Sequence, residues 1–235
     1  MFKNVLIVSA ILMSILSLEV KGQDYHFSQF YIAPLTLNPA LTGLKSTDLR
    51  ATANYRRQWS SISEPFQTVS VSADYNILNG NIGDNLMGVG LLIFNDKAGS
   101  AGLSRTKIAM TGAYSQNIIE GSYISIGFEA GVINQRISPK KLMFENQYDG
   151  EGLNSDIPHN ENFSNTSQWD YDLAIGLAWS YAPDAYTSVY LGGSISHLNR
   201  PDLSFLQDNT DELERKVTLY GGAEFRLNGY LSLVP

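Results

Sequence analysis

Few side chains in this chain have the type and spacing to do chemistry. Its histidines are His26, His159 and His197, and none sits in a spaced metal motif. Ser194 and Ser196 lie close before His197, but the chain has no Gly-x-Ser-x-Gly elbow. Residues two apart share a face of a strand, so both serines are predicted to point away from His197. A rim histidine satisfied by hydrogen bonds is the favoured reading, with lipid hydrolysis ranked behind it. Glu145, Asp149, Glu151, Asp156 and Glu161 offer oxygen ligands to a hard cation, yet they lack EF-hand spacing, and a solvated loop accounts for them. Without cysteine there is neither a disulfide framework nor a thiolate metal site. The expectation is a protein that is not an enzyme and holds no cofactor or metal.

The elements that would position these groups are strands. From Leu49 onward apolar and polar residues alternate, which gives two different faces. Leu49, Ala51, Ala53 and Tyr55 oppose Arg50, Thr52, Asn54 and Arg56. Val69, Val71, Ala73 and Tyr75 oppose Thr68, Ser70, Ser72 and Asp74. A third strand sets Met87, Val89, Leu91 and Ile93 against the less polar row Gly88, Gly90, Leu92 and Phe94. Five more follow, ending on Val217, Leu219, Ala223, Phe225 and Leu227, and a ninth is read as starting at Tyr230. Short connections at 117–121, 182–185 and 226–229 alternate with longer ones, above all 136–168. Strict alternation of short turns and long loops predicts an antiparallel up-and-down transmembrane outer-membrane β-barrel. A soluble β-sandwich is the alternative, since its strands also have two faces. A barrel ending at Pro235 leaves an unpaired edge, so the sequence is read as incomplete at its C-terminus, or as covered there by another chain.

The polar faces place Arg50, Arg56, Asp74, Arg105, Lys107, Glu129, Asp170, Asp172, Lys216 and Glu224 in the interior. Mixed signs at this density predict a lumen laced with ion pairs rather than a single-sign selectivity ring. Residues 1–22 read as an export signal: Lys3, the apolar run Val5 to Leu18, and a cleavage site after Gly22. Removing them lowers 16 basic and 23 acidic side chains to 14 and 22, a net charge of −8. That balance argues against nucleic-acid binding. Residues 23–46 fit neither the signal nor the strands. Pro34 and Pro39 interrupt any long helix and Asn38-Pro39 favours a turn, so this stretch is predicted to be a plug or periplasmic segment before the barrel at 47–235.

QDYHFSQFY from Gln23 to Tyr31, followed by APLTLNPALTG from Ala33 to Gly43, resembles the mature start of the PorP/SprF family. The family usually has a proline where this chain has Tyr25. Further similarity is carried by Asn54 to Trp59, Asn95 to Gly99, and His197 to Pro201 with Ser204-Phe205. The resemblance implies an outer-membrane component of type IX secretion, integral after signal cleavage, surrounded by outer-membrane lipid and longer than the strands present here. It further implies export or surface anchoring of cargo such as gliding adhesins, with cargo C-terminal domains and periplasmic ring lipoproteins as partners. On this reading the contact residues are Phe27, Phe30, Tyr31, Arg57, Trp59, Asp96, Lys97, Phe144, His197, Asn199 and Arg200. The plainer reading stays beside it: Asp96, Gly99, Asn199 and Pro201 shape turns, while Arg57 and Arg200 pair with rim carboxylates. A porin or hydrophobic-solute transporter with an N-terminal plug is the functional alternative.

Overall fold

The computed structural model describes residues 32–44, 48–61, 65–78, 84–99, 102–138, 142, 147–148, 152, 166–184, 186–205, 211–228 and 231–233. The signal at 1–22, the contact candidates Phe27, Phe30, Tyr31 and Phe144, His26, His159, and the acidic residues Glu145, Asp149, Glu151, Asp156 and Glu161 lie outside them. A four-residue helix α1 (Pro34–Leu37) and a 3-10 turn (Pro39–Leu41) precede the strands. These are β1 (Leu49–Gln58), β2 (Phe66–Asn76), β3 (Leu86–Ala98), β4 (Leu103–Ile119), β5 (Ser122–Arg136), β6 (Ser167–Tyr181), β7 (Thr187–Ser196), β8 (Lys216–Asn228) and β9 (Leu231–Leu233). They form one antiparallel sheet in sequence order, each strand paired with the next.

Burial along these strands is inverted relative to a soluble sheet. The polar row is inside: Ser70, Ser72, Asp74, Lys107, Thr111, Ser115, Ser125, Glu129, Asp172 and Ser194 are all buried. The apolar row is outside, with Met110 71% and Leu219 81% exposed. A sandwich buries its apolar rows against a second sheet, so this sheet is not half of one. An apolar exterior around a polar interior is the construction of an outer-membrane barrel wall, where lipid covers the outside. A charge at the middle of that outer face is therefore costly. Met110→Arg should destabilise by about 2–4 kcal/mol, read as an unfolding midpoint in lipid vesicles.

The sheet curls around the segment that precedes it. Neighbouring strands lie about 4.8 Å apart, so β2 and β8 would be about 29 Å apart in a flat sheet. Yet the Gly43 N–H donates to Asp74 on β2, and the Asn38 carboxamide donates to the Tyr220 hydroxyl on β8. Five residues of chain span at most about 18 Å. One short segment reaches both strands because the wall bends around it.

The connections depart from strict alternation at one place. Residues 99–102 close β3 onto β4 in a tight turn, shorter than the 77–85 connection at the opposite rim. Gly99 and Gly102 take positive φ there. The strands stay paired out to Ala98↔Leu103, and the Thr68 hydroxyl donates to Asp96 Oδ1 at 2.6 Å just below. Little chain is left over to form a loop.

Candidate functional site

The interior is organised by the sequence Asn38-Pro39-Ala40-Leu41-Thr42-Gly43, and each of these residues has a physical task. Asn38 precedes the 3-10 turn, and its Oδ1 accepts from Ala40 N at 2.8 Å, a side-chain cap of an otherwise unsatisfied donor. Its Nδ2 donates to Leu177 O on β6, Gly193 O on β7 and Tyr220 Oη on β8, at 2.9, 3.1 and 3.1 Å. Pro39 starts the turn, where a missing N–H costs nothing. The Thr42 hydroxyl donates to Pro39 O at 2.7 Å and lies 3.0 Å from Thr111 Oγ1 on β4. Gly43 turns the chain at φ +66° and donates to Asp74 Oδ2 at 2.7 Å. Arg50 grips the same carboxylate through Nε and Nη2 at 2.8 and 2.9 Å, and Nη2 also donates to Leu41 O. Bidentate pairing of this kind fixes direction as well as charge.

The wall admits this segment because it lacks side chains where the backbone approaches. A Cβ on Gly88 (β3) would stand 2.6 Å from Gly43 Cα, one on Gly127 (β5) 2.2 Å from Ala40 N, and one on Gly176 (β6) 1.8 Å from Asn38 Oδ1. Glycine weakens a strand interior and marks close approach of another backbone. These three mark the track of the segment across the lumen.

Beside α1 lies a buried charge cluster. Lys107 Nζ on β4 is 2.6 Å from Glu129 Oε1 on β5 and 2.6 Å from Asp172 Oδ2 on β6. Asp172 Oδ1 faces His197 Nδ1 at 2.8 Å. A carboxylate only accepts, so Nδ1 carries the hydrogen of that pair. A small cavity between α1 and this cluster is lined by Leu35, Leu92, Lys107, Glu129, His197 and Lys216. The Ser194 hydroxyl is engaged elsewhere, donating to Leu37 O at 2.7 Å.

His197 is thus inside the lumen, 1% exposed, and not on the rim. The predicted parity fails because His197 follows the last residue of β7 and takes φ +57°, which breaks strand alternation. Its side chain turns to the same cavity that Ser196 lines. The chain beyond it covers the mouth. Leu198 N donates to Leu173 O, Asp202 N donates to Asp170 Oδ2, and Leu203 is buried with its carbonyl towards Gln135. Asn199 stands in for a strand residue beyond the end of the β6–β7 ladder: its Nδ2 donates to Tyr171 O and its Oδ1 accepts from Leu173 N, at 2.7 and 3.1 Å. Asn199→Ala leaves both backbone groups to water or nothing. It should cost about 1–2 kcal/mol and speed amide exchange at Leu173.

The remaining contact candidates fall into two groups at this rim. Arg57, Gln67 and Lys97 form one row across β1, β2 and β3, next to the row Arg56, Thr68, Asp96 and Arg105. Arg57 is exposed, and Trp59 is exposed with its ring edge against Phe66 at 5.2 Å. Arg200 is on the β7–β8 connection, 3.3 Å from Glu212 and 3.2 Å from Glu214, all substantially exposed. Sequence reasoning did not single out Asn38, Thr42 or the three glycines as interior contacts. The signal was present in the unusual Asn-Pro-Ala-Leu-Thr-Gly run and in strand glycines on the polar face.

No curated protein and no solved structure matches the chain. A family model described as type IX secretion system membrane protein PorP/SprF matches residues 19–235. That match covers the interior segment, every strand and the connection after β7, and the inverted burial of the sheet agrees with a membrane wall. The chain belongs to the PorP/SprF family of type IX secretion system membrane proteins.

Proposed function

We propose that this chain is a non-enzymatic docking scaffold of type IX secretion in the outer membrane. It aids export or surface anchoring of cargo such as gliding adhesins by holding cargo C-terminal domains and periplasmic ring lipoproteins. Family membership supports the secretion role. The observation that favours a scaffold over a channel is the filled interior: Asn38 alone ties the segment to β6, β7 and β8. In this reading the short turns at 120–121 and 182–186 are periplasmic. The connections carrying Trp59 and Arg200, with the end of β3 at Lys97, face outward and provide contact surface. Trp59 and Arg200 are exposed, and aromatic and arginine side chains are enriched in protein interfaces.

The test is mild-detergent purification of the protein from its native outer membrane, with and without crosslinking, followed by mass spectrometry. Ring lipoproteins or a large exported protein should be retained. Recovery of the barrel alone in both samples overturns the scaffold reading. Stable open channels in planar bilayers would then favour a porin or solute transporter.

A further inference from the structure

The segment Asn38–Gly43 has the physical character of a ligand. Its one helical element, the 3-10 turn, is three residues long, far below the length at which a helix holds itself together. Its conformation is therefore imposed by the wall. The groups that receive it are already positioned by contacts of their own. Arg50 holds the Asp74 carboxylate, and the Tyr220 ring lies over Gly192, where a Cβ would be 2.3 Å from its hydroxyl. Gly88, Gly127 and Gly176 keep the floor open. The bonds are specific to residue type. A carboxamide fits the carbonyls of Leu177 and Gly193 and the Tyr220 hydroxyl, a hydroxyl fits Thr111, and a left-handed glycine presents its N–H to Asp74.

We propose that this lumen groove is a peptide-recognition site, with Asn38–Gly43 as its resident ligand, and that it accepts in trans a peptide presenting the same Asn-Pro-Ala-x-Thr-Gly hexad. Side-chain amide and hydroxyl bonds read the sequence, and the complete burial of Ala40 limits the third residue to a small one. The site exchanges its own segment for that of another polypeptide. It stands independently of the secretion role.

The probe is a fluorescent peptide with the sequence of residues 35–44, added to the full chain in lipid nanodiscs. Wild type should bind it at least about a hundredfold more weakly than Asn38→Ala, because the variant's own segment has lost its side-chain bonds to β6, β7 and β8. Thr42→Val, which removes the segment's hydroxyl from Thr111 and leaves the wall intact, should also gain binding. A probe with alanine in place of its asparagine should not bind, nor should the native probe bind to Asn38→Ala/Gly127→Val, in which the groove is filled. Heat-modifiable migration in detergent gels reports whether each variant is folded. Failure of both folded loosened variants to take up the peptide overturns the proposal, as does equal binding of the alanine probe. If Asn38→Ala does not fold, Thr42→Val alone decides.

Discussion

Replacing Lys107 by methionine is expected to lower the stability of the folded protein by about 3–5 kcal/mol, read from equilibrium denaturation in micelles or vesicles. The ammonium bridges Glu129 and Asp172 at 2.6 Å each, and all three side chains are almost wholly buried. Those two distances put the carboxylate oxygens within about 5.2 Å of each other. Without the cation they repel, by about 3 kcal/mol at an effective dielectric of about 20. The sign of the local interaction therefore reverses. Lys107→Met/Glu129→Gln should recover a large part of the loss, because one of the two stranded charges is gone. Asp172 also holds His197, so the effect should spread to the mouth, with faster proteolysis after Arg215. Arg200 gives the contrast. Its pairs with Glu212 and Glu214 are exposed, and Arg200→Ala should cost no more than about 1 kcal/mol. An equal loss from both variants would show that burial does not set the strength of these pairs.

The strands were legible because an apolar exterior and a polar interior impose a period of two, and residues such as Val69 to Tyr75 obey it without interruption. The β3 row containing Leu92 and Phe94 looked less polar in sequence, and those side chains are indeed buried inside, Leu92 lining the same small cavity as Leu35 of α1. Charge pairing inside was legible as mixed sign, since Lys107, Glu129 and Asp172 all fall on inward positions. Which charges meet was not, because pairing depends on register between strands. Lys107 and Asp172 are joined across β5 by diagonal offsets that no single strand reveals.

His197 shows where parity ends. Alternation predicts a direction only while the backbone stays extended, and one residue of positive φ is enough to reverse it. The reach of Asn38 was hidden for a different reason. Its partners lie 139, 155 and 182 residues away in the chain, and an asparagine before a proline looks the same in a surface turn. The glycines were visible as composition, but their meaning required the other backbone to be present.

Gly127→Ala is expected to dislodge the interior segment and cost about 3–5 kcal/mol, as overpacking is compounded by lost hydrogen bonds. The new Cβ would lie 2.2 Å from Ala40 N, 2.3 Å from Pro39 C and 2.4 Å from Ala40 Cα. All three are backbone atoms, so no rotamer change relieves the contact. Either the segment lifts or β5 bends away from β4 and β6, and β5 is paired along its full length on both sides. The segment is the softer part, and lifting it breaks the bonds of Asn38 to three strands together with the Gly43 contact to Asp74. Gly112→Ala is the matched control on the neighbouring strand, where the added Cβ meets only Gly88 O at 3.9 Å. It should be neutral or stabilising by about 0.5 kcal/mol, since alanine loses less backbone entropy than glycine in a strand. The chain has no cysteine, so Thr42→Cys gives a unique reporter at a position that is buried when the segment is seated. Maleimide should label it slowly alone and with Gly112→Ala, and rapidly with Gly127→Ala. Slow labelling of a folded Gly127→Ala protein would mean that the wall yields and the segment stays, making the segment the more rigid of the two.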